Sequence, residues 1–379
     1  MSSRAPVEVP RWIDLVVLPL FNLALAFAVS AIVLVAIGQS PWQVLTLLVK
    51  GAFGSATGIG YTLYYATTFV FTGLAVAVAY HCGLFNIGAE GQAIMGGLGA
   101  GLAALALGPN ASAWIALPLM VLAAIALGVL WAAIPGALQA WRGSHIVITT
   151  IMFNFIAASL LIYLLVGVLK EPGNMSPETR AFGPGAQMPG MHALLTALGI
   201  EWPRTPLNAS VLLAVAALAG VWLLLWRTQL GYALRAVGSS PQAALYAGIR
   251  PKGLIVVAMA IAGGLAALVG INEIAGVHNR LIADFVAGAG FAGIAVSLIG
   301  RNHPFGIALA ALLFGALYQG GAELAFEIQG FSRDMVFTLQ GLIVLFAGAM
   351  AQVAAPWLTR AWFAVRPAPR TAATEPAHG

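Results

Sequence analysis

The sequence predicts an all-α, polytopic membrane protein of about ten transmembrane helices, and three observations predict it. Of the 379 residues, 61% are hydrophobic and only 8% are charged, whereas a soluble domain carries roughly 25% charged residues. The mean hydropathy is +0.94, which means more apolar surface than a soluble fold of this length hides. The apolar residues also fall into runs of roughly 18 to 25, the length at which a helix crosses a bilayer.

The runs are Ile13–Ile37, Tyr61–Tyr80, Ile87–Leu107, Trp114–Ile134, Ile146–Val166, Ala209–Trp226, Leu254–Ala275, Phe285–Ile299, Phe305–Leu324 and Met335–Ala354. Together they define a transmembrane domain over 13–354, preceded by a cytoplasmic segment, 1–12. Phe285–Ile299 is short and rich in glycine, so the region 285–299 is expected to be a broken or re-entrant helix. Cytoplasmic loops keep an excess of lysine and arginine, which sets the orientation. With the N-terminus inside, eleven of the 17 basic residues are cytoplasmic: Arg4, Arg11, Arg142, Arg227, Arg235, Arg250, Lys252, Arg301, Arg360, Arg366 and Arg370. Lys50, Lys170, Arg180, Arg204, Arg280 and Arg333 fall outside. Both termini are therefore expected in the cytoplasm.

Three stretches lie outside the membrane. The outer loop, 167–208, is rich in proline and glycine, with one short helix expected around His192–Leu198. The inner loop, 227–253, separates two spans on the basic side. The tail, 355–379, ends in "RPAPRTAATEPAHG", a composition that does not form a packed core.

Composition also excludes functions. The sequence pI of about 9.6 does not indicate nucleic acid, because the basic residues are scattered rather than clustered. Cys82 is the single cysteine, so no internal disulfide forms and no cysteine cluster holds a metal. The apolar run after Arg11 is too long for the core of a cleavable leader. A P-loop needs Gly-Lys followed by Ser or Thr, and no Gly-Lys pair occurs. "GAGFAG" at Gly288–Gly293 matches a dinucleotide fingerprint by letter, yet it sits among apolar spans without the preceding soluble strand. Close helix packing or a broken helix explains those glycines better. No cofactor is expected.

The inner loop, "GYALRAVGSSPQAALYAGIRPKG", has the plainest local grammar. Ser240 suits an N-cap, Pro241 the first helical position and Gly248 a left-handed stop. A helix of about two turns is predicted between them, after a first helix that ends at Gly238. This pair is either a plain connector or a docking element for a cytoplasmic partner. Its small apolar side chains, Ala243, Ala244, Leu245 and Ala247, suit a groove better than bare solvent.

Polar residues inside the spans mark the candidate pathway. Asn86 and Glu90 are four apart and share a helix face. A charge in the hydrocarbon costs at least ~2.5 kcal/mol, so Glu90 must face protein or water. It either braces a glycine-rich crossing, supported by Gly97 and Gly101, or lines a pathway. Thr150 and Asn154 make a second polar face beside Phe153 and Phe155, where an amide among aromatic rings would suit a nucleobase or sugar. Asn272 and Glu273 close the seventh span at its outer end. Arg301, Asn302 and His303 form a tight inner turn. The pairing of His81 with Cys82 is too small a set for zinc.

Four stretches resemble the membrane subunits of ABC importers for simple sugars, nucleosides and branched-chain amino acids, and the nucleoside permeases most of all. They are "GLFNIGAEGQ" at Gly83–Gln92, "ITTIMFNFIA" at Ile148–Ala157, "GYALRAVGSSPQAALYAGI" at Gly231–Ile249 and "GAGFAGIAVSLIGRNHPFG" at Gly288–Gly306. The resemblance implies that the inner loop couples to a separate cytoplasmic ATPase through Arg235, Ala236, Val237, Gly238, Pro241, Ala244, Leu245 and Gly248. It also implies a second, related permease, an extracytoplasmic substrate-binding protein and a place in the cell's inner membrane.

Three function classes compete. An ATP-driven permease has no catalytic residues of its own. An ion-coupled transporter would need deep carboxylates or histidines, and Glu90 is the one that lies clearly within an expected span. A membrane enzyme would need a cluster of reactive groups at one face, and none is evident. With no arginine or lysine inside any expected span, a neutral solute such as a nucleoside or sugar fits best.

Overall fold

The computed structural model describes residues 18–328 together with 335, 338, 341 and 342. The N-terminal segment 1–12, the tail 355–379, the cytoplasmic placement of both termini and nearly all of the tenth expected span lie outside the described residues. The chain divides into two compact units, one of 1–43 with 337–379 and one of 44–336. The described helix of the first is α1 (Leu18–Ala36), and α2 (Pro41–Phe53) begins at the boundary between the units.

The second unit contains α3 (Ala56–His81), α4 (Ala89–Leu107), α5 (Ala113–Arg142), α6 (Ile146–Gly167), α7 (Met191–Ala197), α8 (Ser210–Arg227), α9 (Gln229–Ser239), α10 (Pro241–Tyr246), α11 (Pro251–Gly270), α12 (Ala289–Ile299) and α13 (Pro304–Glu327). A π-helical stretch, Ile271–His278, continues α11. Among the described residues the remaining β-type pairing is two isolated bridges, Glu178–Ile282 and Gly190–Asn208. The chain is all-α.

Seven helices among the described residues are long and apolar enough to cross a membrane, or eight if Ala24–Ala36 and Pro41–Phe53 form one broken span. The expected count of about ten is not exact for the described residues. Part of the difference is α12, which is helical for only 11 residues. That is about 16 Å, half of a hydrocarbon core of about 30 Å. The rest is Met335–Ala354, which falls outside the described residues.

Local chemistry sets the helix starts. Ser55 accepts a hydrogen bond from the Gly58 amide at 2.9 Å, and Thr228 one from Gly231 at 3.1 Å. Ser240 accepts from Ala243 at 3.2 Å, ahead of Pro241 in the first turn of α10. Each satisfies an amide that the first helical turn leaves open. Gly143 stops α5 in the left-handed region at φ 68°.

α3 is the axis of the second unit. It is buried almost all round from Ala66 to Ala79, as a core helix must be. α5, α6 and α8 are buried on one stripe only and present Leu130, Phe155, Tyr163 and Leu212 outward, as lipid-facing helices do. Between α4, α5 and α11 small residues replace side-chain interdigitation. A Cβ on Gly128 would strike the Gly263 carbonyl, and one on Gly263 would strike the Gly128 carbonyl. Gly96 lies as close to Ala267. Such contacts let backbones approach where lipid supplies no hydrophobic drive.

Gly128→Leu is therefore expected to pry α5 from α11 at a cost of about 1–3 kcal/mol or more, read as a lower melting temperature of the extracted protein. Gly220 in α8 has open space where its Cβ would be, so Gly220→Ala should leave that temperature unchanged or raise it. Equal losses from both changes would refute the packing argument.

The long loop after α6 is ordered against the opposite end of the bundle from α9 and α10. Its short helix, Met191–Ala197, coincides with the stretch expected to be helical. The loop hydrogen-bonds the segment after α11: Thr179 N to Leu281 O at 3.1 Å, Phe182 N to Asn279 O at 2.8 Å and Met188 N to Ala275 O at 2.8 Å. An Arg280–Glu178 ion pair at 2.8 Å adds to it. The loop thus holds in place a re-entrant segment, 279–288, whose Asn279, Asp284 and Ala287 have φ of 52°, 54° and 48°. Non-glycine residues rarely adopt that region, so the bracing compensates local strain.

Candidate functional site

Four groups of residues bear on function, all within 44–336. The first is the α9–α10 pair. Leu234, Val237 and Ala244 point inward and are buried, while Tyr232, Leu245 and Tyr246 are 65%, 62% and 94% exposed. Of the other residues tied to coupling, Pro241 and Gly248 are exposed, and Arg235, Ala236 and Gly238 are half-buried. Ala244 is a seat rather than a contact surface. Gly238 abuts the turn after α3, where a Cβ would meet the His81 carbonyl and Gly83 N. The same end is tied together by His81 Nε2 and Asn302 O at 3.0 Å, and by Trp226 packed on His81 and His303 at 5.4 and 4.8 Å. Cys82 is buried there, and burial pushes its thiol up to about 11, so it stays protonated and unreactive. Among the described residues no group of three His, Cys, Asp or Glu could hold a metal ion.

The second group is the stretch 86–92, where Asn86 lies in the turn before α4 and does not share a helix face with Glu90 as expected. Asn86 Nδ2 donates to Gln92 Oε1 at 3.1 Å, and Asn86 Oδ1 accepts from Gly88 N at 2.9 Å and from Gln92 Nε2 at 3.2 Å. Asn154 on α6 clamps the same stretch: its Oδ1 accepts from Gly91 N and its Nδ2 donates to Ile87 O, both at 2.9 Å. Thr150 turns its hydroxyl to the Ile146 carbonyl at 2.8 Å. Phe153 packs edge-on against Trp131 at 5.1 Å, and Phe155 points away, 65% exposed.

Glu90 reaches across to the broken helix. Its Oε1 accepts from Gly288 N at 2.9 Å and its Oε2 from Gly290 N at 2.7 Å. A carboxylate therefore caps the positive end of α12, at the point where Gly288 takes φ 81°. Since α12 starts about 16 Å from the turn that follows it, Glu90 is deep in the bundle rather than shallow. Gly97 and Gly101 pack on Phe285 and Leu281 of the same re-entrant segment.

The third group was read from the sequence as the outer close of a span. Glu273 accepts from Tyr64 Oη in a short hydrogen bond, from Thr68 Oγ1 at 2.7 Å and from Asn272 Nδ2 at 3.3 Å. Asn272 Nδ2 also donates to Thr68 Oγ1 at 2.8 Å, and Asn272 Oδ1 accepts from Asn208 at 3.0 Å and from Ser210 Oγ at 2.5 Å. This network joins α3, α8 and the π-helical stretch, and all its members are buried. No cationic side chain lies within ion-pair distance of Glu90 or Glu273 among the described residues.

The fourth group had no sequence signal beyond scattered tyrosines. Tyr65 and Tyr318 face each other across α3 and α13 with ring centroids 5.7 Å apart, and Phe69 and Phe314 extend the column at 4.9 and 5.8 Å. Gln319, the next residue after Tyr318, lines a cavity of about 320 Å³ at the end of the bundle opposite α9. Lys50, Ser55, Thr57, Glu323 and Glu327 line it. The charges there are of both signs.

Residues 58–348 match the family model described as the permease component of the branched-chain amino acid transport system. The chain is 34% identical over 341 residues to the glucose ABC transporter permease protein TsgB13 of Haloferax volcanii, spanning 89% of this chain and 88% of that one. It is 33% identical over 332 residues to the guanosine ABC transporter permease protein NupP of Bacillus subtilis, spanning 87% and 92%. It is 32% identical over 337 residues to the nucleoside ABC transporter permease protein NupB of Lactococcus lactis, spanning 87% and 90%. No solved structure matches.

Proposed function

The chain belongs to the family of permease components of the branched-chain amino acid transport system, and from that membership we propose that it carries a nucleoside across the cell's inner membrane. It is an ABC importer permease. In this reading a second, related permease completes the pore, a cytoplasmic subunit hydrolyses ATP, and an extracytoplasmic protein delivers the solute. The observation that carries the reading is α10. Its Leu245 and Tyr246 stand out on a helix whose other face, through Ala244, is fastened to the bundle. An exposed apolar crown on a buried anchor suits a docking helix better than a connector.

The contacts suggest how motion reaches the pathway. Force on α10 passes to α9, and from Gly238 to the Gly83 turn against which it lies. That turn leads directly into the stretch holding Asn86, Glu90 and the start of α4. Glu90 in turn holds the N-terminus of α12. Shifting α9 would then shift a half-helix inside the bundle, a rigid-body route for alternating access. In this scheme Asn86, Thr150 and Asn154 transmit and brace rather than bind, because their hydrogen bonds are already made within the chain.

Substrate recognition is assigned to the Tyr65–Tyr318 pair, next in sequence to Gln319 of the mixed-charge cavity. A neutral solute suits a cavity that holds Lys50 beside Glu323 and Glu327, and flat rings stack on a nucleobase for ~1–3 kcal/mol. A sugar offers less face to stack, which favours the nucleoside over the glucose named for one relative. The ion-coupled alternative gives way to the family membership.

The test is uptake in cells expressing this chain with its ATPase, partner permease and binding protein, using labelled guanosine, adenosine and glucose. Guanosine or adenosine uptake should dominate, and Tyr318→Ala should reduce it roughly tenfold, while Tyr318→Phe keeps the ring and most of the rate. Glucose uptake that nucleosides do not inhibit would overturn the substrate assignment.

A further inference from the structure

A groove of about 410 Å³ runs along α5, away from every group described above, lined by Leu130, Ala133, Ile134, Ala137, Leu138, Trp141 and Arg142, with Val256 of α11 on its other wall. The α5 residues recur at three- and four-residue steps, so they form one helix face. Up to Trp141 the walls are apolar, and Leu130, Ile134 and Trp141 are 62%, 40% and 61% exposed. A charge closes the end.

That charge is not alone. α5 and α11 run antiparallel, since Gly128 meets Gly263 while Gly136 meets Val256 and Met259. Lys252 lies one turn before Val256 on the same face of α11, which brings it level with the last turn of α5. Arg142 and Lys252 are both exposed. The groove lining contains no acid to pair with them.

We propose that this groove binds one anionic phospholipid, with an acyl chain along α5 and the phosphate held by Arg142 and Lys252. Three features point to a lipid rather than a protein helix. From Leu130 to Trp141 the groove is about 16 Å long, close to one leaflet of a core of about 30 Å. Arg142 is the last residue of α5, about one leaflet's length beyond Leu130, next to an exposed tryptophan of the kind that marks membrane interfaces. A protein segment filling the same groove would need an acid at one fixed point, whereas an anionic lipid presents its phosphate at that depth in any register.

The test uses the full chain in nanodiscs made with a photoactivatable phosphatidylglycerol or phosphatidylcholine, followed by peptide mapping of the adducts. Adducts on 130–142 and 251–256 should favour phosphatidylglycerol by roughly tenfold or more, given two cations near the headgroup. The double variant Arg142→Ala, Lys252→Ala should abolish that preference while labelling of α6 and its melting temperature stay unchanged. Single Arg142→Lys should retain the preference, since it keeps the charge. Equal labelling by the two lipids, a preference that survives the double variant, or crosslinks from this groove to a second protein chain would each overturn the proposal. None of these outcomes depends on which solute the protein carries.

Discussion

Replacing Glu273 by alanine is expected to destabilise the protein more than any other single loss of a polar side chain discussed above. Its two oxygens accept from Tyr64, Thr68 and Asn272, and all four residues are buried. Removing the acceptor strands the Tyr64 and Thr68 hydroxyls in a region that water reaches poorly, while Asn272 Nδ2 keeps its bond to Thr68 Oγ1. Each stranded donor costs ~1–3 kcal/mol, of which neighbouring carbonyls and hydroxyls recover part. A net loss of about 3–5 kcal/mol follows, which should lower the melting temperature in detergent by roughly 5–10 °C. Glu273→Gln keeps one acceptor and should lose about half as much. Arg280→Ala breaks the Arg280–Glu178 ion pair, whose side chains are 37% and 22% exposed, and should cost no more than ~1 kcal/mol. Equal losses from Glu273→Ala and Arg280→Ala would show that the network carries no special weight.

The second large effect is on transport with the fold intact. Leu245→Asp combined with Tyr246→Ala alters only side chains that are 62% and 94% exposed. The melting temperature of the isolated chain should not move. If α10 docks on the ATPase as proposed, uptake by the assembled importer should fall to background, because its exposed apolar side chain and its aromatic anchor are both gone. Ala244→Asp should also abolish uptake, but for another reason. Ala244 is 3% exposed, so a carboxylate there would unseat α10 and lower the melting temperature as well. Measuring both quantities on both variants separates docking from folding. Wild-type uptake in the Leu245→Asp, Tyr246→Ala variant would sink the docking role of α10.

Much of the local structure was legible because its signals are local. Ser240, Pro241 and Gly248 mark the start and stop of α10 through backbone chemistry that involves no distant residue. Apolar run length marked α3 to α6 and α8, and the glycines of 285–299 marked the broken helix. The partners of Glu90 were not legible, because Gly288 and Gly290 lie far along the chain and no local pattern links them to it. Phe153 and Asn154 looked like a recognition pair from adjacency alone, whereas the fold turns one to Trp131 and the other to the start of α4.

The sequence alone determined that the chain is an all-α membrane protein, which family it resembles and where its α9–α10 pair lies. Each follows from composition, periodicity or motifs confined to short windows. Only the tertiary structure decided that Glu90 caps α12, that Glu273 gathers Tyr64, Thr68 and Asn272, that Tyr65 packs against Tyr318, and that Arg142 ends a groove walled by Val256 of α11. Those pairings join residues far apart in the chain. Helix period tells which face of a helix a residue occupies but not which neighbour that face meets. In a bundle joined by glycine contacts, that choice rests on which backbones can approach closely, and no single segment carries the information.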